Sequence, residues 1–130
     1  MKPTSSPWKR GRIVHRAVPD GRKFILEEWK VTQHRGSFLP TAHLLRVKPT
    51  FTRPQRRSVP LDQGLQDSPF SATKGGALWK AIVDIEGRIE RIEGYRAEDS
   101  EKGTDLWKEY TEEITELRHA VTAMRKERAK

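Results

Sequence analysis

Residues 105–128, DLWKEYTEEITELRHAVTAMRKER, decide the reading of this chain. Within them Trp107, Tyr110, Ile114, Leu117, Val121 and Met124 recur at alternating steps of three and four. That step averages 3.5 residues, so the six side chains form one stripe along one helix. Asp105, Glu109, Glu112 and Glu113 come early and Arg118, Arg125, Lys126 and Arg128 come late, an order that complements the helix dipole. Thr104 or Asp105 can cap the start. A second stripe precedes it: Leu78, Ile82, Ile85, Ile89 and Ile92. Its helix should begin between Ser71 and Ala77 and stop near Gly94, with Tyr95 to Gly103 as a polar connector. Continuing the first register would bring residues 106, 110 and 113 inward, whereas the second stripe uses 107, 110 and 114. A break between the helices follows, and an antiparallel helical hairpin with a coiled-coil seam is the simplest outcome. These eleven apolar residues are the candidate protein-interaction surface, either packed on one another or available for self-association.

Working outward, the charge divides the chain. The 130 residues carry a net charge of +8. Residues 1–74 hold 15 Lys and Arg against 5 Asp and Glu, while residues 75–130 hold 11 against 13. A basic first half suits a polyanion, and the second half suits protein. Charged residues make up 34% and apolar residues 34%, too few apolar groups for one large core.

The first half reads as β-structure. Residues 1–9 form an extended arm that includes Trp8. Arg12–Val18 is a short strand, Pro19-Asp20-Gly21 a turn, and Arg22–Val31 the returning strand, together a β-hairpin. Phe24-Ile25-Leu26 breaks the alternation, so either both faces are covered there or a bulge shifts the register. Gln33–Ser37 is a polar loop, Phe38 and Leu39 anchor the chain after it, and His43–Lys48 is a third strand stopped by Pro49. Pro49, Pro54, Pro60 and Pro69 then punctuate a stretch that argues against helix or central strand. The expected class is therefore α+β, with a basic β-module at 1–48, an extended Pro/Arg-rich linker at 49–70 and a helical hairpin at 71–130.

Cations interleave with aromatics in that first half. The candidate nucleic-acid-binding residues are Trp8, Lys9, Arg10, Arg12, Arg16, Arg22, Lys23, Arg35, Arg46, Lys48, Arg53, Arg56 and Arg57. Phe24, Trp29, Lys30 and Phe38 lie among them. Cationic side chains neutralise phosphates and release counterions, and exposed aromatics stack on bases. A solvated basic surface with Phe24 and Trp29 in the core is the competing reading.

Gly11-Arg12-Ile13-Val14, Pro19-Asp20-Gly21 and His43-Leu44-Leu45-Arg46-Val47-Lys48-Pro49 give residues 8–50 a resemblance to a known family. They resemble the small barrels of the Src-homology-three type in nucleic-acid-associated proteins, such as KOW modules and the C-terminal domain of retroelement integrases. The resemblance implies five strands, of which three are legible, and a nucleic-acid-associated role. A second pattern, Pro19-Asp20 followed by Glu28-Trp29-Lys30, resembles the PD…ExK signature of metal-dependent nucleases. That resemblance implies two acids on magnesium and a lysine assisting water. Against it, Asp20 suits the turn for backbone reasons, and the spacing is short.

Other chemistries lack support. With no cysteine there are no disulfides, thiolate metal sites or thiol catalysis. His15, His34, His43 and His119 show no metal-ligand spacing. Gly75-Gly76 lies outside any phosphate-loop pattern and reads as a flexible start to the helix. No apolar run approaches the roughly 18 residues that cross a bilayer. Residues 1–19 are acid-free with Lys2, Lys9, Arg10, Arg12 and Arg16, as in an organelle transit peptide, but Pro3, Pro7 and Gly11 break the helix one needs. The expectation is a non-catalytic, intracellular protein without cofactor or metal. It binds RNA or DNA phosphates through its first half and protein through its hairpin. A ribonucleoprotein subunit or a phage-type or mobile-element protein fits, and the alternative is a protein–protein adaptor without nucleic acid.

Overall fold

The computed structural model describes residues 8–35, 41–49, 55–60 and 64–130, and for residues 33–35 the backbone alone. The arm before Trp8, Phe38, Leu39 and Arg53 lie outside the described residues, as does the side chain of Arg35. Among the described residues four strands, β1 (Ile13–Asp20), β2 (Lys23–Arg35), β3 (Thr41–Lys48) and β4 (Arg56–Pro60), form one antiparallel sheet in the order β1-β2-β3-β4. Two helices follow, α1 (Lys74–Asp99) and α2 (Asp105–Arg128). The class is α+β, as the sequence implies.

The first hairpin closes on Gly21-Arg22. Gly21 has φ +59°, and Arg22 is not among the positive-φ residues, which matches a type II′ turn with glycine first. The turn is thus one step later than the Pro19-Asp20-Gly21 reading, and Pro19 lies inside β1. Its missing N–H is tolerated there for a local reason. His15, of the same parity, directs its N–H away from β2, to the carbonyl of Ser71 at 2.8 Å. Phe24, Ile25 and Leu26 are each half-buried. The β2–β3 register slips between Glu28 and Trp29 and again between Val31 and Gln33. At the second slip the Thr32 hydroxyl donates to the His43 carbonyl at 3.2 Å.

The chain divides into two compact units. The first comprises residues up to Arg16 together with Leu26–Ala77. Its core gathers Trp8, Val14, Trp29, Val31, Ala42, Leu44, Val59 and Phe70, with Leu65 against it. The expected linker at 49–70 is corrected here. Its residues 56–60 pair with β3 from Thr41↔Pro60 to Leu45↔Arg56. Val59 is buried and Phe70 is fully so. Pro60 is compatible because it ends an edge strand. After a 3-10 turn at Leu65–Asp67, Ser71 bridges His15 on the free edge of β1, each N–H donating to the other's carbonyl at 2.8 Å.

The second unit comprises Ala17–Ile25 and Leu78–Lys130. Leu78, Ile82, Ile85, Ile89 and Ile92 of α1 are all buried, as are Ile114, Leu117, Ala120, Val121 and Met124 of α2. Trp107 and Tyr110 are half-buried. Cross-helix pairs set an antiparallel arrangement. Arg88 meets Glu113 at 2.9 Å, Arg118 meets Glu93 at 2.9 Å, and Arg125 meets Glu86. Arg96 lies 4.6 Å from the centre of the Trp107 ring. Thr104 caps α2, its hydroxyl accepting from the Trp107 N–H at 3.3 Å. Gly94 does not stop α1, which runs five residues further before the Ser100–Thr104 connection. One glycine inside a long helix costs only about 1 kcal/mol, less than the packing of the stripe supplies.

Candidate nucleic-acid interface

Strand alternation sorts the cations of the first unit into two sets. The inward positions are Val14 and Arg16 on β1, Glu27, Trp29 and Val31 on β2, Ala42, Leu44 and Arg46 on β3, and Arg57 and Val59 on β4. Glu27 is 3% exposed. Its carboxylate takes the Arg16 Nε at 2.7 Å, the Trp29 indole N–H at 3.1 Å and the Arg46 guanidinium at 2.8 Å. Arg46 also donates to the Gln55 side-chain carbonyl at 3.1 Å. The side chains of Glu27 and Arg46 are each 4% exposed and that of Arg16 is 20%. A buried carboxylate needs paired charge and hydrogen bonds, and the two arginines supply both.

This reassigns three candidate contacts. The guanidiniums of Arg16 and Arg46 are committed to Glu27. Trp8 is fully buried, edge-on to Phe70 with ring centres 5.9 Å apart, and offers no face to a base. Trp29 meets Phe70 at 5.7 Å. Arg16 from β1 and Arg57 from β4 lie 5.8 and 5.7 Å from the centre of the Phe70 ring, so both ends of the sheet reach one side chain. Neither Glu27 nor Phe70 was a sequence candidate. The signal for Glu27 was an acid at an inward position of an apolar strand, between Ile25 and Trp29. Phe70 carried none, because its burial depends on the Ser71–His15 bridge.

The remaining cations meet solvent. Lys9, Arg10, Lys30, Lys48, Arg56 and Arg57 are exposed and Arg12 is half-buried. Arg22 and Lys23 are exposed at the hairpin turn, in the second unit. On the outer face of the sheet, Lys30 pairs with Leu45, and Leu45 with Arg56. The three form one row across β2, β3 and β4. Beside it a cavity of about 290 Å³ is lined by Thr32, His43, Leu44, Leu45 and Arg56. The half-buried His43 ring stands 3.5 Å from the Ser58 hydroxyl through Nδ1. Acid is scarce. Among the described residues of the first unit Asp67 is the exposed carboxylate, Glu28 is half-buried opposite Lys48, and Glu27 is enclosed.

Elsewhere, His15 is held below its ordinary pKa by burial, against the pull of Glu28 and with a smaller push from Lys74. Asp20 and Glu28, the acids of the nuclease-like pattern, are not juxtaposed. Asp20 ends β1 beside the turn, and Glu28 lies five residues along β2 beyond Lys23, about 17 Å at a strand's rise. Among the described residues no group of three or more His, Asp or Glu stands close enough to hold a metal ion. No helix among them is long and apolar enough to cross a membrane. The stripes expected to meet a protein partner are largely enclosed within the second unit. Its exposed large apolar side chains are Trp79, Val83, Tyr95 and Leu106.

Gly76 also has a specific reason to be glycine. A Cβ there would overlap the Ser71 hydroxyl oxygen, while the Gly76 N–H donates to the Thr73 hydroxyl at 3.0 Å. It is a close-packed capping position where the sequence suggested only flexibility. Compared with protein-family models, with curated proteins and with solved structures, the chain gives no match.

Proposed function

We propose that the chain is a non-catalytic nucleic-acid-binding protein whose first unit holds phosphates on its exposed cations. The observation that carries this is the sorting of charge. Glu27 is sealed between Arg16 and Arg46, while Lys9, Arg10, Lys30, Lys48, Arg56 and Arg57 meet solvent with Asp67 as the exposed acid among the described residues. A surface of one sign attracts a polyanion and gains free energy from counterion release. The strand order supports the likeness to small Src-homology-three-type barrels. A four-strand meander, a 3-10 turn and a return to the β1 edge at Ser71 is a five-segment arrangement.

The test is a salt titration of binding to short RNA and DNA. Affinity should fall steeply with salt, and Lys30→Gln and Arg56→Gln should each weaken binding and lower the log–log slope by about 1. Absence of binding at low salt removes the proposal and leaves the adaptor reading. A slope that no exposed cation alters removes the assignment to these residues.

A further inference from the structure

We infer that the outer face of β2, β3 and β4 takes a single strand rather than a duplex, with one unstacked base entering the cavity beside His43. This rests on the nucleic-acid reading above and gives it a substrate class.

Three observations carry it. The first is width. Strands lie about 4.8 Å apart, so the three strands of this face span about 10 Å between their outer axes before side chains are added, one strand more than a two-stranded ribbon. The major groove of a B-form duplex is about 12 Å wide and admits a helix or a two-stranded ribbon. The broad face of this sheet does not enter it, whereas a flexible single strand can lie across it.

The second is the chemistry of the cavity. Its lining residues are Thr32, His43, Leu44, Leu45 and Arg56, an imidazole, aliphatic groups, a hydroxyl and a guanidinium among them. An imidazole and an aliphatic group present flat apolar surface to a base, and the hydroxyl and guanidinium can meet its polar edge. A stacked and paired base would have to be flipped out at a cost of a few kcal/mol, while a single strand has none to meet.

The third is the placement of charge. Lys30 and Arg56 flank Leu45 in one row, two strands and hence about 10 Å apart at the backbone. They stand on either side of the position a base would occupy, where a backbone passing over the cavity presents its phosphates. Both are exposed, and Glu28, the nearest acid along β2, sits opposite Lys48 rather than in this row.

The experiment uses the full chain and fluorescence anisotropy with four probes of equal length: a uridine RNA, a thymidine DNA, an abasic DNA strand and a DNA duplex. The thymidine strand should bind at least about fivefold more tightly than the abasic strand, the lower end of what one stacked base contributes. The RNA arm shows whether the 2′-hydroxyl matters, and stronger binding of either base-bearing strand than of the duplex supports the inference. His43→Ala should remove the advantage over the abasic strand, and His43→Phe should keep it. Equal binding of abasic and base-bearing strands, or preference for the duplex, overturns the inference while leaving phosphate binding intact. Failure of every probe at low salt overturns the functional reading itself. The abasic comparison uses the unaltered chain, so it stands even if a variant does not fold.

Discussion

Replacing Glu27 with alanine strands charge in the core of the first unit. Arg46 is 4% exposed in its side chain, so solvent does not screen the loss of its partner, 2.8 Å away. The Trp29 indole N–H loses its acceptor at 3.1 Å as well. Arg16, at 20% exposure, can turn toward water and adds less. Removing one member of a buried pair costs about 3–5 kcal/mol, which is a large part of the 5–15 kcal/mol that holds a domain folded. We therefore expect Glu27→Ala to cost about 4 kcal/mol. At a urea slope of about 1–2 kcal/mol/M this moves the midpoint down by about 2–4 M. The reference is Glu113→Ala, which breaks the Arg88–Glu113 pair whose side chains are 51% and 43% exposed. Solvent screening holds that loss to about 0.5 kcal/mol. Urea unfolding read by tryptophan emission and by far-UV ellipticity measures both, and the two probes separate if the units melt apart. Because the penalty comes from the unpaired charge, Glu27→Leu combined with Arg46→Met should be more stable than Glu27→Ala alone. A midpoint shift for Glu27→Ala no larger than that for Glu113→Ala, or a double replacement less stable than Glu27→Ala, would refute a stabilising role for the buried pair.

Other expectations follow from single contacts. Gly87→Ala should stabilise by about 1 kcal/mol through helix propensity, since its Cβ would meet nothing nearer than an Arg91 nitrogen at 3.6 Å. Gly76→Ala should destabilise in spite of the same propensity gain, because its Cβ collides with Ser71; thermal melts of the two variants would contradict this by moving together. His15 has a folded pKa below its unfolded value, so the unfolded chain takes the proton first as pH falls. Its contribution is complete above about pH 6.5 and is lost as pH drops from there through the folded pKa. The urea midpoint should therefore fall more between pH 7.5 and 5 in the native chain than in His15→Gln, and parallel profiles would refute the assignment. Ile85→Ala, at a 3% exposed stripe position, should cost about 2–5 kcal/mol, while Val83→Ala at 52% exposure should stay within about 0.5 kcal/mol. Equal melting losses would place the stripe outside the core.

The helices and the first three strands were legible in the chain because their signals are local. A 3.5-residue period from Leu78 to Ile92 and from Trp107 to Met124 needs no knowledge of the rest of the molecule to mark a buried face. Thr104 as a cap and Gly21 as the positive-φ turn residue are likewise decisions of neighbouring backbone. Composition also determined that charge would divide between the halves. Tertiary structure decided which cations belong to function. Arg16, Arg46 and Arg56 are alike as letters. The first two meet across β1, β2 and β3 only when the sheet brings Glu27 between them, whereas Arg56 faces outward. Pro60 and Phe70 sat in a stretch whose prolines argued against structure. Pairing with β3 and the Ser71–His15 bridge, both long-range contacts, turned that stretch into a strand and a core side chain. Local periodicity reports what a segment can do by itself, and burial of a lone acid or aromatic is a property of the assembled sheet.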